Sequence, residues 1–292
     1  MDVSAVDVSA FEAERARLTA IASRILGSPA EADDVVQDAW LRLSSTDDVE
    51  DLPAWLTTVT TRLCLDRLRK RRTRAVVEDQ LVVPAEAQPE AVDPGIDPEA
   101  EAMLAEQVGE AMYVVLDTLA PAERAAFVLH DVFGYSFDEI SGVLGRSATA
   151  VRQLASRARR KVQGTPETSA ERAARAENRR VVEAFLAAAR GGELDTLMAL
   201  LAPDVVMRAD LVGQRMGAQR AYDGPEAVAA RFNGAQGAAP ALVDDELAGA
   251  WVVGGAVKVA FLFQVEAGRV QEIELIADPD VLNTLDVSDL RR

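Results

Sequence analysis

Residues 134–162, GYSFDEISGVLGRSATAVRQLASRARRKV, admit little besides helix, tight turn, helix. Ser136 is placed to cap the first helix, and Glu139, three residues on, to reach back and close a capping box. Ile140, Val143 and Leu144 supply an apolar stripe. Gly145 stands where such a turn needs a conformationally free residue. Ser147 suits the cap of the second helix. Within that helix Val151, Leu154, Ala155, Ala158 and Val162 recur at helical spacing and make one buried face. At about 100° per residue, Arg152, Gln153, Ser156, Arg159 and Arg160 point the other way. Arginine and glutamine suit base edges in a major groove, and serine and lysine suit phosphates. A solvated basic helix is the bland alternative. The scaffold helix, the glycine turn and the polar outward face together weigh against it.

Charge complicates that reading. The 292-residue chain has a formal net charge of −17 at pH 7, whereas phosphate neutralisation normally supplies most nucleic-acid affinity. The charge is uneven, with arginine and lysine concentrated in residues 62–74 and 152–161. This implies weak binding by the chain alone and a partner that supplies the missing affinity. The length allows two or three domains. The single cysteine, Cys64, excludes an internal disulfide and falls in a helical apolar pattern, as a small core residue would. No apolar run is long enough to span a bilayer, and the amino terminus is acidic, so a cytoplasmic protein with no membrane partner is expected.

Taken in order, Phe11, Leu18, Ala22 and Ile25 mark a first helix, ended by Gly27. Ser28-Pro29-Ala30-Glu31 is a strong helix start. The helix that follows buries Val35, Val36, Ala39, Trp40 and Leu43, with Asp33, Asp34, Gln37, Asp38 and Arg42 on its other face. Pro53 opens a third helix through Arg71, with Trp55, Leu56, Val59 and Leu63 on one stripe. Its end is denser in cations than helix-dipole stabilisation accounts for, and phosphate contact is the sharper reading. Residues 75–100 carry recurrent prolines and acids with little apolar periodicity, as a linker does. The helical pattern resumes at Met103, Leu104, Val108, Ala111, Met112, Val115 and Leu116, and Pro121 starts a further helix ended by Gly134. His130, the only histidine, has no second histidine or nearby thiol to complete a metal or catalytic site.

DDVVQDAWLRL, then PAWLTTVTTRLCLDRLRKRR, then the helix-turn-helix ending ASRARRKV, together resemble a bacterial sigma factor of the extracytoplasmic-function group. The resemblance spans roughly residues 10–165. It implies a polymerase- and −10-binding region at 8–74, the linker at 75–100 and a −35-binding region at 101–165. It implies core RNA polymerase, through the clamp helices of its largest subunit, and promoter DNA as partners. The polymerase-contact candidates are then Asp34, Gln37, Asp38, Leu41 and Arg42. The −10 candidates are Arg62, Asp66, Arg67, Arg69, Lys70 and Arg71. The −35 candidates are Arg152, Gln153, Ser156, Arg157 and Arg160. An acidic linker resembles those threaded through the polymerase RNA channel, and a plain spacer stays open beside that.

Residues 171–292 exceed the minimal family. A charged helix holds Val181, Val182, Phe185 and Leu186, and short helices are expected over 194–201 and from Pro225 to Phe232. Strands are expected over 204–209, 241–247, 257–265 and 270–276, with Val257, Val259, Phe261, Phe263 and Val265 alternating, and a final helix follows Asp278-Pro279. The expected fold class is therefore multidomain: two all-α domains, then an α+β domain. This last part resembles the cone-shaped SnoaL-like domains related to nuclear transport factor 2. Such an appendage resembles that of SigJ-like sigma factors, in which the extra domain governs activity. That implies regulatory contacts through the linker and Asp278, Pro279, Asp280 and Leu282. Asp204, Arg208, Asp210, Tyr222 and Arg231 are candidates for a cavity mouth, with ordinary surface placement as the alternative. No catalytic residue, cofactor or metal is expected. The competing function is a SnoaL-like enzyme or small-molecule sensor fused to a DNA-binding module, with a ligand of the C-terminal domain as its partner.

Overall fold

The computed structural model describes residues 5–46, 49–78, 115–235, 237–244, 246–285 and 287–289. The chain divides between residues 119 and 120 into two compact units, with 161–163 grouped with the first. Most of the expected linker, and the pattern from Met103 to Met112, lie outside the described residues.

The first unit is built from α1 (Ala5–Leu26), α2 (Pro29–Leu43) and α3 (Leu52–Glu78). The Ser28 hydroxyl accepts from the Glu31 amide and starts α2 as its sequence implies. Phe11, Leu18, Ile21, Ala22 and Ile25 of α1 are buried, as are Val35, Val36 and Ala39 of α2 and Leu56, Cys64, Leu65 and Leu68 of α3. Phe11 packs on Trp40 with ring centroids 4.9 Å apart. Arg17 ties α1 to α3 by donating to the Thr57 hydroxyl at 3.1 Å.

The second unit joins the helix-turn-helix to the C-terminal domain. Its helices begin with α4 (Pro121–Phe127), which runs into a π-helical turn at Val128–Val132. The helix-turn-helix is α5 (Phe137–Leu144) and α6 (Ala148–Val162), followed by α7 (Ser169–Gly191) and α8 (Leu194–Leu200). Then come β1 (Leu201–Ala209), α9 (Leu211–Arg215), β2 (Ala221–Asp223) and α10 (Pro225–Phe232). The chain ends with β3 (Ala238–Val243), β4 (Glu246–Val253), β5 (Ala256–Glu266), β6 (Arg269–Ile276), α11 (Pro279–Leu282) and β7 (Val287–Asp289).

The strands form one sheet in the order β2-β1-β6-β5-β4-β3-β7. β1 pairs with β6 in parallel and the other pairs are antiparallel, so the sheet is mixed rather than antiparallel throughout. One face packs Phe261, Ile273 and Leu275 against Phe185 and Leu186 of α7 and Phe232 of α10. The other carries a smaller cluster of Ala248, Ala260, Ile276, Val281 and Leu282. This is the α+β arrangement expected of a cone-shaped domain.

Two strand expectations need correction. The run 241–247 is not one strand, because the chain reverses at Asp244 (φ 50°) and splits it between β3 and β4. A short acidic residue tolerates that left-handed backbone. Val257 leaves the row formed by Val259, Phe261, Phe263 and Val265. A register shift opposite Trp251 and Val252 inserts one residue on β5 and turns Val257 to the other face.

Candidate nucleic-acid interface

The local signals of the helix-turn-helix are realised. The Glu139 carboxylate accepts from the Ser136 amide at 2.8 Å, and the Ser136 hydroxyl accepts from the Glu139 amide at 3.2 Å. The Ser136 hydroxyl, which donates to the Glu139 carboxylate at 2.7 Å, and the Ser136 amide favour the ionised form and hold Glu139 below the usual carboxylate range. Gly145 ends α5 with φ 64°. The Ser147 hydroxyl accepts from the Ala150 amide at 3.2 Å and caps α6. Val151, Leu154, Ala155 and Ala158 are buried. Arg152, Gln153 and Ser156 are exposed, and the Arg152 guanidinium lies 5.1 Å from the Phe137 ring centroid. The other two −35 candidates are engaged. Arg157 lies 3.0 Å from Glu123 and 3.3 Å from Glu246, and Arg160 pairs with Glu171 on α7. His130 is structural here, with Nδ1 2.7 Å from the Tyr135 carbonyl and its ring stacked on Phe137.

The sheet of the C-terminal domain meets the start of α6. Arg146, in the turn, pairs with Asp244, and the two side chains are 7% and 1% exposed. The Ser147 amide donates to the Glu274 carboxylate at 2.6 Å, and Gln264 Nε2 donates to the Ser147 hydroxyl at 2.8 Å. Burial pushes the Glu274 carboxyl up, against the lowering effect of the Ser147 bond and of Arg146. Its second oxygen has no hydrogen-bond partner among the described residues. Val281 of α11 sits so close that a Cβ on Gly145 would lie 2.7 Å from its Cγ2. The segment singled out as regulatory thus lies at the helix-turn-helix turn. Its contact residue is Val281, while Leu282 is buried, Asp278 caps α11, and Pro279 and Asp280 are exposed.

Arg146, Asp244, Gln264 and Glu274 were not among the sequence candidates. The alternation of β5 and β6 put Gln264 and Glu274 on the face away from the main core, which was the one available signal. Nothing local marks Arg146 or Asp244, which are 98 residues apart in the chain.

In the first unit, Arg67 donates to the Glu31 carbonyl at 2.7 Å and to the Asp38 carboxylate at 2.9 Å, with Asp34 at 3.9 Å. Arg71 donates to the Leu26 carbonyl at 2.9 Å and pairs with Glu31. These two −10 candidates therefore bind α3 to the α1–α2 corner, and the structure joins them to the polymerase candidates Asp34 and Asp38. Lys70 pairs with Asp66 at 2.6 Å, and Arg62 and Arg69 are half-buried. Gln37, Leu41 and Arg42 are exposed on α2, Leu41 at 57%.

The cavity-mouth candidates do not converge. Asp210 caps α9 by accepting from the Gly213 amide at 2.6 Å, and it also accepts from the amides of Ala277 and Asp278. Arg208 pairs with Glu272, Tyr222 accepts from the Gln219 amide, and Asp204 is exposed. Arg231 alone lines a cavity. Among the described residues no cluster of three or more His, Cys, Asp or Glu is placed to hold a metal ion. None of the described helices is long and apolar enough to cross a membrane.

A three-helix unit ending in cations, followed by a capped helix-turn-helix with an arginine-bearing second helix, defines a promoter-recognising protein. Comparison with known proteins is specific. The Sigma-70 region 2 family matches residues 10–74, and the Sigma-70, region 4 family matches residues 109–162. The ECF RNA polymerase sigma factor SigJ of Mycobacterium tuberculosis is 43% identical over 227 residues, which is 76% of this chain and 71% of that one. The probable ECF RNA polymerase sigma factor SigI of the same species is 33% identical over 95% of both chains. The crystal structure of SigJ matches 95% of this chain and 98% of its own at 36% identity, with a TM-score of 0.38. The chain belongs to the extracytoplasmic-function sigma factors, whose role is transcription initiation.

Proposed function

We propose that this sigma factor recruits core RNA polymerase to its promoters and that its own C-terminal domain regulates it by withholding the −35 reader. It acts in the cytoplasm, by binding rather than by covalent chemistry. Asp34, Gln37, Asp38, Leu41 and Arg42 of α2 meet the clamp helices of the largest subunit. Arg62, Asp66, Arg69 and Lys70 engage the −10 element, and Arg67 and Arg71 hold α3 in place for it while adding positive charge. Arg152, Gln153, Ser156, Arg157 and Arg160 face the −35 element.

The observation that carries the regulatory part is the occupied start of α6. A recognition helix enters the major groove with its N-terminal residues toward the bases. Here the Glu274 carboxylate and the Gln264 amide sit on the Ser147 cap, and Asp244 covers Arg146. DNA and the sheet therefore compete for one end of one helix.

Asp244→Asn tests this. Asparagine tolerates the left-handed backbone, and the change leaves Arg146 buried beside a neutral partner, a loss of about 3–5 kcal/mol when a buried pair is broken. With core polymerase present, the full-length variant should protect the −35 element more strongly and transcribe more. Wild-type protection and transcription by the variant would reject the withholding role, while the sigma assignment would stand on polymerase binding.

A further inference from the structure

A second opening lies on the sheet face away from the helix-turn-helix. It is a cavity of about 310 Å³ between α9, α10 and strands β3 to β6. That is the small end of the ~300–1,000 Å³ range of small-molecule sites. Phe232, Trp251, Val259, Phe261 and Leu275 make its walls apolar. Phe232 and Phe261 meet edge to face with centroids 5.3 Å apart.

Two glycines shape the cavity. A Cβ on Gly213 would lie 2.5 Å from Leu275 Cδ2, so glycine is what lets α9 close over β6. A Cβ on Gly237 would lie 3.2 Å from the Trp251 indole, so the ring rests against bare backbone. Trp251 is 39% exposed and Met216 is 55% exposed, so apolar lips face water at the mouth.

Among the described residues, Arg231 is the one charged side chain in the lining and makes no hydrogen bond or ion pair. It is an exposed residue in the last turn of α10, next to Phe232. A guanidinium at an apolar wall matches a carboxylate in a bidentate pair, and aromatic walls match a flat apolar body. The described lining has no carboxylate, imidazole, thiol or hydroxyl group to move a proton or attack a substrate.

We propose that this cavity binds a small, flat, apolar monocarboxylate, with Arg231 on the carboxylate and Trp251, Phe232 and Phe261 around the body. The site is independent of promoter recognition. The shared strands give it a place in the molecule, since β5 and β6 present Phe261 and Leu275 to the cavity and Gln264 and Glu274 to the start of α6.

The test is calorimetric titration of the full-length protein with 2-naphthoate and, separately, with its neutral isostere 2-naphthamide. Naphthoate should bind about tenfold more tightly, the margin expected for one charge-assisted pair. Arg231→Met should erase that preference while retaining amide binding. Ala235→Trp, which fills the cavity, should abolish binding of both, with circular dichroism confirming that each variant is folded. No naphthoate binding, equal affinities for the two probes, a preference that survives Arg231→Met, or undiminished binding in a folded Ala235→Trp variant would each overturn the proposal.

Discussion

Arg146 and Asp244 form a buried ion pair between the helix-turn-helix turn and the sheet. Each is a charge withdrawn from water, and each is tolerable because the other is there. Arg152 is the contrasting case. It is exposed on α6, over the Phe137 ring. Its value to the folded chain is a surface cation–π contact, on the order of 0.5–1 kcal/mol. On the proposed reading, its value on DNA is a bidentate base contact of about 1–3 kcal/mol. Arg152→Ala should therefore leave thermal stability nearly unchanged and flatten −35 preference in transcription by reconstituted polymerase. A variant with the wild-type ranking of mutated −35 elements would remove Arg152 from the reading set. Cys64 belongs to the same scale. It is buried as its apolar neighbours implied, and burial pushes its thiol pKa up and keeps it unreactive.

Among elements, α2 has the plainest division of faces. Val35, Val36, Ala39 and Leu43 are buried, and Gln37, Leu41 and Arg42 look outward. An exposed leucine amid polar neighbours suits a partner surface. Burying one is worth about 1.5–3 kcal/mol. Leu41→Asp should weaken association with core polymerase by about tenfold or more, by the same conversion of energy to affinity. Melting of the free protein should be unaltered, and equal polymerase affinity in a pull-down titration would show that α2 docks elsewhere. The helices were readable because caps and apolar spacing are local. Ser28, Ser136 and Gly145 each did what their types dictate. β3 and β4 were merged into one expected strand, although acidic residues from Asp244 to Glu246 interrupt the apolar pattern, because only the pairing of Val243 with Glu246 shows that the chain reverses there. The parallel pairing of β1 with β6 was hidden for the same reason.

Across the whole second unit, the proposed hold on the DNA reader should depend on pH. Glu274 is surrounded by Ser147, Arg146 and Glu272, and burial outweighs the first two to raise its pKa. Once the domain lets go, water returns the group to the ordinary carboxylate value. The docked form thus carries the extra proton between the two values. Its Glu274 contribution is complete below the ordinary value and lost as pH rises through the raised one. Promoter binding with core polymerase should accordingly increase as pH climbs through that window. Glu274→Gln, which keeps an acceptor for the Ser147 amide and cannot titrate, should flatten the rise. The same slope in both proteins, measured by footprinting across pH, would exclude Glu274 as its source.

Sequence alone determined the helices, their caps, the cationic segments and hence the sigma class, because those signals act over a few residues and repeat at helical spacing. Tertiary structure decided which partners several of those cations take. Arg67 and Arg71 turned inward to the carbonyls of α2 and α1, and Arg157 and Arg160 turned to Glu246 and Glu171. The contact of Arg146 with Asp244 was likewise decided by folding. A charge in a chain is known by its residue type, but its partner is whatever the fold brings within a few ångströms, and no local pattern encodes that distance.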